Sequence, residues 1–217
     1  MSCAICEKRK EKRFCPVVHG RICPQCCGEN REITFDCPIE CVYLQQARQH
    51  ERPRSLEELD RSTLFLDVEV GEQFLHEQEH LILGLSYAVA TSAHKNPGIK
   101  DPDVIAALTT VTRRLETLVN SGLHYKIPDA NPLHQLIAGE IENMIKEYRD
   151  TETKHLGYSR LKESDILRAL VFLLRLALTR TSGRPKSRAF VDFMLAQFPG
   201  EGASRSGVRE DSRLITP

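Results

Sequence analysis

The stretch RICPQCCGENR, Arg21 to Arg31, sets Cys26 beside Cys27, with Cys23 three residues before Cys26. Neighbouring side chains diverge along a backbone, so two adjacent thiols do not easily grip one ion. The pair makes sense if each thiol serves a different ion. Cys23 and Cys26 have the C-x2-C spacing with which one tight turn supplies two of the four ligands a tetrahedral zinc needs, and Pro24 helps to fix that turn.

Outward from this stretch, all eight cysteines lie between Cys3 and Cys41, in the order Cys3-x2-Cys6, Cys15, Cys23-x2-Cys26, Cys27, Cys37-x3-Cys41. In a reducing compartment such crowding points to metal rather than disulfides. The competing reading, an oxidised cap, requires export, and the opening MSCAICEKRKEKRF offers no apolar run for a signal peptide. The expectation is a cytoplasmic protein with two structural Zn2+ ions. Cys3, Cys6, Cys23 and Cys26 make one complete site, and Cys15, Cys27, Cys37 and Cys41 make the second. The sites interleave along the chain, a cross-brace that ties the segment together without a large hydrophobic core. His19 is a ninth donor for eight places. It either replaces Cys15, Cys26 or Cys27, or is a surface histidine in the turn VVHGR. With every coordination position filled by protein, such ions are structural rather than catalytic. Thiol oxidation with zinc release is a minor alternative use of the same residues.

The pattern CAIC…KRFCP…RICPQCC…CPIEC resembles the cross-braced HIT and MYND zinc fingers, over residues 3–41 only. That resemblance implies a protein-interaction module. It also implies a third pair of Cys23 with Cys27 and a second pair of Cys15 with His19, with Cys26 spare. The chain departs from those fingers in having Cys26 and in lacking their late histidine. The finger followed by helices also resembles bacterial proteins from which no activity carries over.

Beyond the cysteines the pattern changes. Residues 46–54, QARQHERPR, read as a polar connector, residues 55–198 as helical, and residues 199–217 as a disordered tail. Ser55 and Glu58 form a capping box. A long helix is predicted at 72–93, with Phe74, Leu81, Leu85 and Ala88 on one stripe. Asp101-Pro102 and Asn131-Pro132 each read as an N-cap followed by a first-turn proline. Gly122 ends the first of these two helices. A helix starting near Ser164 is apolar on most sides, hence central. A last helix runs from Ser187 to Phe198. The predicted fold is mainly α: a small di-zinc cross-braced finger (1–45) and an α-helical bundle of five or six helices.

Lys plus Arg equals Asp plus Glu, 30 each, so no global charge marks a nucleic-acid or membrane binder. Locally the charge is about +3 over residues 1–54, about −6 over 55–179 and about +3 over 180–217. No apolar run is long enough to span a membrane; ILRALVFLLRLAL is short and interrupted by Arg168 and Arg175.

Three further signals carry chemistry. His76, Glu77 and His80 match H-E-x-x-H, in which two imidazoles four residues apart bind zinc and the glutamate polarises its water. The stretch resembles the zincin motif, but no third ligand follows at a suitable place. The plain alternative is the charged flank of an amphipathic helix. Glu77-x-x-His80 and Glu152-x-x-His155, joined by Glu58 and Glu116, would make a ferritin-like di-iron site if all met inside the bundle. RTSGRPKSR puts Arg180, Arg184, Lys186 and Arg188 in nine residues without an acid, a candidate anion grip beside a helix start or simply a soluble loop.

The reading is a zinc-binding, non-enzymatic interaction or regulatory protein whose finger and helical part bind a protein partner, without a membrane. The alternatives are nucleic-acid association through the basic loops and a metal-dependent enzyme using His76, Glu77 and His80.

Overall fold

The computed structural model describes residues 1–125 and 129–200. The expected tail lies outside the described residues from position 201 onward. Among the described residues the chain is mainly helical, with one two-stranded sheet. β1 (Arg13–Cys15) pairs antiparallel with β2 (Gly20–Ile22), Phe14 facing Arg21. Short helix α1 (Pro24–Asn30) follows, then α2 (Val42–His50). After two 3-10 turns, Leu56–Glu58 and Arg61–Thr63, come α3 (Glu72–Glu77), α4 (Glu79–Lys95), α5 (Asp101–Ser121), α6 (Pro132–Leu156), α7 (Glu163–Arg180) and α8 (Ala189–Gln197).

α7 is the hub, as its all-round apolar sequence predicts. Leu170, Val171, Leu174 and Ala177 are fully enclosed, and α7 packs against α5, α4 and α8. Each such Leu contributes about 1.5–3 kcal/mol by leaving water. The two arginines that interrupt its apolar run act outside the core. Arg175 donates from Nε to Leu64 O (2.9 Å) and from Nη2 to Phe65 O (2.8 Å) and Val68 O (3.0 Å). Arg168 donates to Glu69 O and lies over the Phe74 ring. α4 and α6 come close at Gly84, where an added Cβ would sit 2.8 Å from Met144 Sδ.

Several start and stop signals operate as read. Asn131 Oδ1 accepts from Leu133 N at 2.9 Å, and Gly122 closes α5 in the left-handed region at φ 69°. Other details differ. The capping box at Ser55 opens a 3-10 turn rather than an α-helix. The helix expected over 72–93 is broken at Gln78 (φ −109°, ψ 25°) into α3 and α4. Residues 46–50 of the expected connector are helical, because α2 continues to His50.

Two separate buried clusters result. The larger spans residues 59–198 and contains no cysteine. The smaller consists of Cys3, Cys15, Ile22, Cys23 and Cys26, flanked by Cys6, Val18, Cys27 and Phe35. Among the described residues no helix is long and apolar enough to cross a membrane.

Candidate metal centre

Cys3 and Cys6 lie in one tight turn, with Glu7 held in the left-handed region at φ 55°. Cys23 is the N-cap of α1, and its sulfur accepts from Cys26 N at 3.4 Å. Pro24 supplies the fixed φ that starts this helix and has no N–H to leave unpaired. Cys23 N in turn donates to Cys3 Sγ at 3.2 Å, which joins the two C-x2-C pairs. The four sulfurs of Cys3, Cys6, Cys23 and Cys26 lie within 4.8 Å of one another. A tetrahedral zinc with sulfur ligands at about 2.3 Å needs sulfurs about 3.8 Å apart, so modest tightening completes the site.

The surroundings favour the thiolate at Cys3 and Cys6 and the neutral thiol at Cys26. The amides of Lys8 and Arg9, with the Arg9 guanidinium, hold the Cys6 thiol down at about 6. Burial works against Cys3, yet the amides of Cys6, Cys23 and Ile5 bring it below its ordinary value. Burial, joined by the Cys23 thiol, pushes Cys26 up to about 12 although Arg9 Nη2 stands 3.5 Å from its sulfur. A buried sulfur so disfavoured as an anion becomes a thiolate when a metal ion lies among the four. Arg9 is the positive charge beside the cluster, and its own proton is held more tightly through the Cys6 and Cys26 contacts. No local sequence signal marks Arg9 for this place beside the sulfurs.

Cys15, Cys27, Cys37 and Cys41 are near one another but do not converge in the same way. All four line one small enclosed cavity of about 10 Å3, closed by Phe35, Tyr43 and Leu44. No three of their sulfurs converge within the limit that the first quartet meets. That volume admits about one atom-sized occupant. Burial raises the Cys37 thiol, Glu32 N–H opposes this, and the nearby Cys41 and Cys15 add to the rise. Adjacent Cys26 and Cys27 therefore face different surroundings, Cys26 the four-sulfur cluster and Cys27 the small cavity. Cys23 pairs with Cys26, which corrects the Cys23–Cys27 pair implied by the HIT and MYND resemblance. His19 occupies the exposed β1–β2 turn at φ 51°, outside the sulfur cluster.

The other candidate residues are placed differently. His76, Glu77 and His80 are all exposed, and the break at Gln78 divides them between α3 and α4. Among the described residues the four-cysteine set is the one group of three or more Cys, His, Asp or Glu whose donor atoms converge, so the third ligand that an H-E-x-x-H site needs is not gathered. The di-iron set does not meet either. Glu152 instead accepts from Ser159 Oγ (2.6 Å) and from the amides of Arg160 and Leu161 (2.9 and 3.2 Å).

The basic run is turned inward. Arg180 lies over the Phe193 ring. Arg184 Nη1 donates to Arg31 O at 2.7 Å, Lys186 Nζ to Thr34 O at 2.5 Å, and Arg188 Nη1 to Ile99 O at 2.8 Å. These donors serve backbone carbonyls, a use that no local sequence signal announces.

No protein-family model, curated protein or solved structure matches this chain.

Proposed function

We propose that the protein is a zinc-stabilised interaction module in which a finger holding two structural zinc ions is carried on a helical body and binds a protein partner. The four-sulfur cluster of Cys3, Cys6, Cys23 and Cys26 carries this reading. Four protein donors leave no open coordination position for a substrate, which favours a structural ion. The second ion is assigned to Cys15, Cys27, Cys37 and Cys41, whose shared cavity is of one-atom size. Zinc is the metal that fits an all-thiolate set with tetrahedral spacing.

The partner surface is assigned to the finger face around the second set. Phe14 is 56% exposed and Val42 55%, and Val17 and Ile39 are open as well. Exposed aromatic and aliphatic side chains on so small a segment favour a contact surface. Arg13, stacked over Tyr43, adds a cation to that face. Nucleic-acid association is the weaker reading, because Arg184, Lys186 and Arg188 are engaged with carbonyls.

Native mass spectrometry of reduced protein is expected to find two zinc ions per chain; none would overturn the reading. A photoreactive residue in place of Phe14 is expected to crosslink to protein in cells, and capture of nucleic acid alone would favour the other class.

A further inference from the structure

The two sulfur sets differ in where their outer shells come from. Around Cys3, Cys6, Cys23 and Cys26, the donors to sulfur are amides between Ile5 and Cys26 and the Arg9 guanidinium. That site is supported by its own segment. The second set hangs on residues 28–36, the backbone between Cys27 and Cys37, and this stretch is held by the helical body.

Glu32 is the centre of that hold. It is 1% exposed, sits in the left-handed region at φ 53°, and lies in the chain between Cys27 and Cys37. A non-glycine residue adopts this conformation at a cost of about 1 kcal/mol or more, so the surroundings must enforce it. Its carboxylate accepts from Arg48 Nη2 at 2.9 Å and from Ser182 Oγ at 3.0 Å. Its carbonyl accepts from Lys186 N at 2.8 Å. Arg184 Nη1 reaches Arg31 O and Gly28 O on either side of the α1 end. Arg48 continues to Asp192 on α8 at 2.8 Å. One chain of contacts thus runs from the segment that joins Cys27 to Cys37 through Glu32 and Arg48 to α8.

We propose that the loop 181–188 is a positioning element of the second metal site, so that the ion there is bound in linkage with the docking of the finger onto the helical body while the first ion is independent of it. This rests on the two-ion reading above. By reciprocity, a contact that raises the affinity for the ion is strengthened by the ion to the same degree. Loss of an outer-shell partner that orients a ligand lowers metal affinity about 10–100-fold. The second ion is therefore the exchangeable one, and its occupancy is felt at the N-terminus of α8.

The test is zinc competition with a chromophoric chelator on the full chain. For Arg184→Ala and Ser182→Ala, one of two zincs should weaken by about 10–100-fold while the other is unchanged. Arg149→Ala removes the α6–α7 pair with Glu163 and should leave both untouched, which separates linkage from general loss of stability. Conversely, Cys37→Ser should speed amide exchange at residues 182–192. Two zincs weakened equally, or neither changed, overturns the linkage alone. A wild-type chain holding a single zinc overturns the two-ion reading and the linkage with it.

Discussion

Ser187 Oγ donates a 2.6 Å hydrogen bond to Asp101 Oδ2, and Asp101 N donates back to Ser187 O at 2.8 Å. Asp101 is fully buried, and its carboxylate also accepts from Phe190 N and Val191 N at 3.0–3.2 Å. It thus caps the start of α8 from the first turn of α5, supplying the acceptor that α8's own N-cap, Arg188, does not. Asp101→Ala leaves several buried donors unpaired. The expected loss is about 3 kcal/mol, or roughly 6–12 °C in Tm, read by urea and thermal unfolding. Asp101→Asn keeps one acceptor oxygen and should lose less.

Arg9 gives a prediction about metal rather than fold. Its guanidinium contacts Cys6 and Cys26, so Arg9→Ala should weaken the first zinc about 10–100-fold and leave the second near wild type. The guanidinium favours thiolate over thiol. Without it protons compete better for sulfur, and acid should displace that zinc at a higher pH. Arg9→Lys should restore part of the affinity. Chelator competition across pH reads all three.

Legibility in the sequence followed locality. The C-x2-C turns and the adjacency of Cys26 and Cys27 are short-range facts, and they led directly to the quartet that the structure gathers. The apolar stripes of α4 and α7 and the caps at Asn131 and Gly122 were legible for the same reason. Asp101 was misread because its neighbour Pro102 made it look like the cap of its own helix, whereas Lys100 holds that position and Asp101 caps α8. The basic loop was equally illegible. Arg184 meets carbonyls 153 and 156 residues away in sequence, and charge alone cannot distinguish a carbonyl from a phosphate. The break at Gln78 has no glycine or proline to announce it.

Glu152 sets an acid sensitivity. The Ser159 hydroxyl first, then the Leu161 and Arg160 amides, hold its carboxyl below the ordinary range. The folded chain therefore binds fewer protons here than the unfolded one. This contribution is complete above the unfolded-state value near 4.5 and is lost as pH falls through the lower folded value. Wild type should lose urea resistance below about pH 5, with part of that slope absent in Glu152→Gln. Equal slopes in the two proteins would refute the assignment.

Metal removal should divide the chain. The small cluster around Ile22 is mostly cysteine and too small to stay folded on sulfur contacts alone, whereas the large one has its own aliphatic core without cysteine. A strong chelator should therefore abolish amide protection over residues 1–41 and leave α5 and α7 protected, with a small loss of helical circular dichroism from α1. The exposed histidines of α3 and α4 provide the contrast. His76→Ala and His80→Ala should keep the wild-type zinc content and the same chelator midpoint, because neither side chain meets a third donor among the described residues. Zinc lost from either variant would revive a metal site in the helical body, and cooperative collapse of α5 and α7 on chelation would show that the two cores are not separable.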